Sequence, residues 1–385
     1  MEFWFSKEQK ELKALSREIA LGKIQPKREY YDETEDFPWE IVKDLSSAKL
    51  FEVYIPEDYG GKGGGVTELC IVTEELSRVC GGTALAYAGT ALGSYPILLF
   101  GNEEQKKKYL PSIAKGEKLA AFGLTEANAG SDASAIQTHA KPVEGGYILN
   151  GTKQWITNGG EADIYTIIAV TDKAKGARGA SAFIIEKGFK GFSFGKKEKK
   201  MGIRASVTRE LVFNDCFVPE ESLLSREGYG FIVTMKTFDK TRPGVAAQAL
   251  GIAQGALDEA LIYSKKRGQF GKSISSFQDI QFKLADMATQ IEAARVLIYS
   301  VARLIDSGAE RVSKESSMAK VFSSDVAVKV TSMALQIFGG YGYLRNYPVE
   351  KMMRDAKITQ IYEGTNEVQR NIIALNLIKE IATRK

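Results

Sequence analysis

One histidine, His139, occurs in 385 residues. A zinc site built from several histidines is excluded by that scarcity. Cysteine is little commoner: Cys70, Cys80 and Cys216 are odd in number, and no two follow a C-x-x-C spacing. Buried, inert thiols in a reducing compartment are therefore expected. The N-terminal stretch Met1-Glu2-Phe3-Trp4-Phe5-Ser6-Lys7 meets charge at once and holds no apolar signal core. No apolar run is expected to reach membrane-spanning length, so the expectation is a cytoplasmic protein without a membrane partner. Charge of one sign is not in excess either. Basic residues number 52 against 48 acidic, a net +4 that does not argue for nucleic acid. Acidic ligands must then be attracted by local sites.

Three textures follow one another. Residues 1–118 read as an N-terminal all-α domain, opened by Ser6 before Glu8 and Glu11 in the manner of a capped amphipathic helix. The glycines between Pro56 and Gly65 mark a turn, since no Gly-Lys-Ser/Thr follows to make a phosphate loop. Residues 119–228 change to short β-branched runs between glycine turns, such as Ile164–Val170 and Ala182–Ile185. These predict a middle β-barrel or sandwich. Residues 229–385 return to helices. Ile280, Leu284, Met287, Ile291, Ala294, Ile298, Val301 and Ile305 form one apolar stripe. Ala319, Phe322, Val326, Val330, Met333 and Ile337 form another, as a C-terminal four-helix bundle requires. The fold class is α+β, multidomain.

Five segments carry chemistry-bearing residues. Gly123–Asp132 brings glycines and hydroxyls together where helices hand over to strands, which suits either an interdomain turn or the close approach of a planar polar ligand. Trp155, flanked by Thr152 and Thr157, either plugs the β-domain core or packs against an aromatic cofactor. Arg267 either complements the C-terminal dipole of its own helix or pairs with a pyrophosphate. Gln336 to Tyr343 leaves a helix through three glycines, a helix stop that also lets backbone approach a ligand. Glu363 stands among apolar and glycine neighbours just before a helix at Asn366. It is either a dipole-stabilising residue or a partly desolvated base.

Together these segments resemble the acyl-CoA dehydrogenase family over essentially the whole chain, closest to its short- and medium-chain branch. One family signature is met from Gly123 through Ala135, save for Ala127 where proline is common. A second is met from Gln336 through Gly339, Gly340, Gly342, Tyr343, Asn346 and Lys351 to Asp355. Two long patterns in the right order make chance agreement negligible. The resemblance implies FAD, held by Phe122, Leu124, Thr125, Gly130 and Ser131 and by Trp155, Ile156 and Thr157. Arg267, Phe270 and Gln278, with Gln336, Gly339 and Gly340, would serve the FAD of a neighbouring subunit in a homotetramer. Thr365 and Glu367 would reach its adenine half. Ser131, Asp239 and Arg242 would meet the CoA part of the substrate, and Tyr87, Ala88, Ala91, Phe238, Tyr362 and Gly364 the remainder.

The resemblance further implies α,β-dehydrogenation of an acyl-CoA, with Glu363 as base and electron-transferring flavoprotein as acceptor. Some members carry the base at the position of Thr241, which is not an acid here. No Lys or Arg lies between Arg78 and Lys106, so the pocket helix offers no partner for a distal carboxylate. A short, medium, branched or alicyclic acyl group is expected. The alternatives are an oxidase passing electrons to O2, disfavoured by the compact length, and a flavin-bearing DNA-associated member. The latter is disfavoured by interspersed charges.

Overall fold

The computed structural model describes residues 4–382. Ser6 caps α1 (Lys7–Ile19), and its partner in a reciprocal capping box is Gln9 rather than an acidic residue. Two otherwise unpaired amides are satisfied this way. Helices α2 (Arg28–Thr34), α3 (Trp39–Ser47), α4 (Val66–Ser77), α5 (Gly81–Phe100) and α6 (Glu103–Ala114) complete the first part. Gly93 lets α5 lie directly on the first strand, because a Cβ there would sit 2.3 Å from the backbone nitrogen of Ala121. That contact turns Ala88 and Ala91 of α5 toward the centre of the molecule.

The middle of the chain forms β1 (Ala120–Gly123), β2 (His139–Val143), β3 (Gly146–Thr157), β4 (Ile164–Val170), β5 (Ala180–Glu186), β6 (Phe192–Lys197), β7 (Thr208–Pro219) and β8 (Leu223–Leu224). The expected barrel or sandwich is one hydrogen-bonded, eight-stranded sheet in the order β6-β7-β3-β2-β4-β5-β8, open between its end strands. β1 branches off as a parallel neighbour of β4. β4 is buried at six consecutive residues, which explains its continuous apolar run rather than an alternating one.

Helices return with α7 (Gly230–Lys266). After a two-residue-strand hairpin come α8 (Gln278–Asp306), α9 (Ser313–Phe338), α10 (Pro348–Ile358) and α11 (Asn366–Ala382). α7, α8 and α9 pack on one another, and α10 and α11 lie on α9. The α8 stripe is buried from Met287 to Ile305, its first two members only partly. On α9, Phe322 departs from its expected place and is 39% exposed. The buried face is built from Ser316, Ala319, Ser323, Ala327 and Ala334, small residues that let α7 approach closely.

Pro243 sits inside α7 and cannot donate to the carbonyl of Asp239. The Ser316 hydroxyl on α9 donates to that carbonyl instead, at 2.7 Å. A local helix defect is thereby repaired across the bundle, at the turn that carries Thr241 and Arg242. On the membrane question the expectation needs correction. α5 and the helix Ser313–Tyr343 are long and apolar enough to span a bilayer by length and composition. They are core helices, with 72% and 50% of their apolar windows buried in protein. All three cysteines are buried and unpaired.

Candidate active site

The loop 359–365 joins α10 to α11 and presents Glu363 with φ +50, a left-handed conformation uncommon for a side chain of this size. Contacts from three helices hold it there. Gln369 of α11, fully buried, donates to the carbonyls of Glu363 and Gly364, both at 3.0 Å. Arg242 of α7 donates to the Glu363 carbonyl at 3.3 Å. Lys320 of α9 donates to the Gly364 carbonyl at 2.8 Å. The Tyr362 hydroxyl donates to Gln248, whose amide donates to the Gly81 carbonyl at 2.9 Å. Among the described residues, no acceptor meets the backbone N–H of Glu363.

Among the described residues, the Glu363 carboxylate accepts one hydrogen bond, from the Thr241 hydroxyl at 2.9 Å. Burial pushes its pKa from the usual 4.5 up to about 7, against the pull of Thr241, Arg242 and Lys320. A carboxyl half-ionised near neutrality is matched to proton abstraction at physiological pH. Glu363 stands on the wall shared by two clefts, together with Thr125, Trp155, Thr157 and Tyr362.

The first cleft encloses about 890 Å³, its mouth included, and is lined by apolar and small side chains. Phe122 and Phe238 meet edge to face across it, with ring centroids 5.7 Å apart. Ala88, Gly89 and Ala91 of α5 face Gly244 and Val245 of α7, and no Lys or Arg lines it. Gly130, Ser131 and Thr365 line the second cleft, about 1380 Å³ with its mouth, and so does Lys200.

Trp155 owes its place to a bulge. The register between β3 and β7 slips between Lys153 and Ile156, and Trp155 takes φ +59. It is 54% exposed rather than a plug in the sheet core. A bulge re-aims a side chain without ending the strand. The indole face flanked by the Thr125 and Thr157 hydroxyls is an apolar plane with a polar edge, which fits an isoalloxazine ring. The preceding loop is pinned from below. Lys153, fully buried, bonds to Glu126 at 2.6 Å and to the Leu124 carbonyl at 2.9 Å. Glu126 also accepts from the N–H groups of Gln137 and Thr138. The glutamate of the first signature is thus a brace for the loop. The second signature is a brace as well, because Lys351 pairs with Asp355, which accepts from Ile203 N–H of the sheet region.

Not every expected residue joins the clefts. Tyr87 is fully buried and packs on Phe51 and Tyr54. It lines neither cleft, which corrects its assignment to the substrate. Asp239 turns toward α9 and accepts from Ser313 at 2.7 Å, and Arg242 is buried against the loop that carries Glu363. Neither is open to a CoA moiety in this structure. Arg267, Gly339 and Gly340 line a separate surface cleft, where the Arg267 guanidinium lies 5.2 Å from the Tyr341 ring centroid. Gln336 and Gln278 are exposed near it in sequence, Glu367 is exposed beside Thr365, and Phe270 is 92% exposed. Sequence inspection did not single out Lys320, Gln369 or Gln248. A lysine among small residues on a buried helix face was the available signal for Lys320.

A fold of helices, sheet and helices, with a glutamate between an apolar cleft and an exposed indole, defines a flavin-dependent dehydrogenase architecture. The acyl-CoA dehydrogenase models match this chain in all three parts: the N-terminal domain over residues 6–117, the middle domain over 121–216 and the C-terminal domain over 228–378. The chain belongs to the acyl-CoA dehydrogenase family. It is 50% identical to the short-chain-specific acyl-CoA dehydrogenase of Clostridium acetobutylicum over 97% of this chain and 99% of that one. It superposes on the butyryl-CoA dehydrogenase of Megasphaera elsdenii with TM-score 0.96 and 48% identity, covering 98% of this chain and 100% of that one. A chain in a structure on the electron transferring flavoprotein of Acidaminococcus fermentans is similar too. It has TM-score 0.96 and 51% identity, over 98% of this chain and 99% of that one.

Proposed function

We propose that this enzyme performs FAD-dependent α,β-dehydrogenation of a short acyl-CoA, straight, branched or alicyclic, with Glu363 as the base. The observation that carries this reading is a carboxyl poised near neutrality on the wall between an apolar cleft and an exposed indole. The acyl group occupies the first cleft, whose small residues leave width and whose lining lacks any cation for a distal carboxylate. The thioester carbonyl meets the unpaired backbone N–H of Glu363, so charge that develops on its oxygen as the α-proton leaves is stabilised by a preorganised donor. Glu363 takes the α-proton while Thr241 holds its other carboxylate geometry.

FAD, when bound, supplies the acceptor for the β-hydride. Phe122, Leu124, Thr125, Gly130, Ser131, Trp155, Ile156 and Thr157 would hold it, with Thr365 and Glu367 serving its adenine half. Arg267, Phe270 and Gln278, with Gln336, Gly339 and Gly340, would serve the flavin of a neighbouring chain. This accounts for their separation from Glu363 within one chain and for the bare Phe270 and Tyr343, 92% and 83% exposed. The assembly is a homotetramer, electron-transferring flavoprotein takes the electrons, and the enzyme works in the cytoplasm.

The test is Glu363→Gln. A yellow, folded protein whose flavin is bleached by butyryl-CoA more than about a thousandfold more slowly is expected. Near-normal bleaching would remove Glu363 from its role.

A further inference from the structure

Lys320 lies on α9 with no exposed surface, facing the base loop. Its ammonium donates to the Gly364 carbonyl at 2.8 Å and to Asn366 Oδ1 at 2.9 Å. Asn366 is itself held by Ser324 and Asp325 of α9. The ammonium therefore sits one peptide from Glu363 without touching its carboxylate. An amide side chain would hold the same carbonyl without the desolvation cost that a buried charge carries. The charge itself thus calls for a counterpart nearby.

We infer that Lys320 is a positioning residue that clamps the base loop at Gly364 and, through its charge, biases Glu363 toward the ionised form. The inference rests on Glu363 being the base. The groups facing Glu363 are Thr241 and Arg242 on α7, Lys320 on α9 and Tyr362 on its own loop; Asp239 pairs with Arg242, and Asp325 on α9 and Glu367 on α11 act on Lys320. Asp325 is engaged by Arg370 at 2.7 Å. Arg242 is a fixed charge over the working pH range. Lys320 is not: burial pulls its pKa down to about 7, against the pull of Glu363. The two groups change charge in the same pH range, so losing the proton from Glu363 tightens the hold of Lys320 on its own.

The experiment compares wild type with Lys320→Met, Lys320→Gln and Lys320→Arg. Gln retains a donor for the Gly364 carbonyl and serves if Met disturbs folding. Two readouts are followed against pH. One is the infrared carbonyl band of protonated Glu363, identified by its absence in Glu363→Gln. The other is the anaerobic bleaching rate with butyryl-CoA. Loss of the charge is expected to raise the infrared midpoint by about one unit, and so to slow bleaching roughly tenfold near pH 6 but less than about threefold near pH 9. Arg is expected to restore both. An unmoved midpoint in Lys320→Gln, or a rate lowered by the same factor at both pH values, would overturn the inference. Turnover surviving in Glu363→Gln would instead overturn the base assignment, on which the infrared midpoint does not depend.

Discussion

Two buried lysines, each associated with a glutamate, behave in opposite ways. Lys153 bonds Glu126 directly at 2.6 Å, and both are nearly sealed from solvent. Burial opposes ionisation of Glu126, but Lys153 and the amides of Gln137 and Thr138 outweigh it and hold the carboxyl below its usual range. The pair is closed and inert. Lys320 spends its donors on Gly364 and Asn366, which leaves the Glu363 carboxylate with Thr241 as its one hydrogen-bond partner and a pKa near 7. Fully satisfying a buried carboxylate makes a brace. Satisfying the backbone around it while leaving the carboxylate short of partners raises its pKa toward neutrality.

The sharpest way to break this contrast is to remove Lys153. Lys153→Met strands Glu126 as a buried charge and is expected to cost about 3–5 kcal/mol in urea unfolding. Lys153→Met combined with Glu126→Gln should recover most of that loss. A cost below about 1 kcal/mol for the single change would show that the pair is no brace.

A smaller effect is expected at Glu363, with a pH dependence of defined sign. Its folded pKa lies above the usual 4.5, so its support of the native state is complete below that value and is lost as pH climbs through about 7. Glu363→Gln is therefore expected to stabilise the protein by about 2 kcal/mol near pH 8.5, after discounting for the open cleft, and by almost nothing near pH 4.5. Thermal unfolding at the two pH values checks it. A gain of equal size at both would assign the effect to something other than this titration.

The smallest effect concerns Gly244, another concession near the base. It lies inside α7, and a Cβ there would meet Leu69 Cδ2 at 3.7 Å, an ordinary contact inside the acyl cleft. Gly244→Ala is expected to stabilise the helix by about 1 kcal/mol. The same change should lower kcat/KM for branched or ring-bearing acyl groups by roughly tenfold relative to butyryl-CoA. Unchanged selectivity would mean that this position does not set the cleft's width.

Much of the fold was legible because its signals are local. Periodicity marked the long helices, β-branched runs marked β4 and β5, and Ser6 marked the start of α1. Glu363 and Trp155 stood out through the motifs around them, and the structure brings both to the wall shared by two clefts. The burial of Tyr87, Asp239 and Arg242 was not legible, because a motif marks a residue without telling which neighbour covers its side chain. The roles of Lys320, Gln369 and Ser316 were invisible for a related reason. Each satisfies a group more than about one helical turn away, and Ser316 answers a carbonyl 77 residues earlier in the chain.

The sequence by itself determined that no zinc site of several histidines could form, that helices would flank a sheet, and that a glutamate would precede the last helix. Composition, period and turn residues act over a few positions and can be read in order. Only the tertiary structure decided which of two glutamates is held ionised as a brace and which has its pKa raised toward neutrality. That difference lies in how many donors reach each carboxylate from distant elements, and in how much water their packing removes.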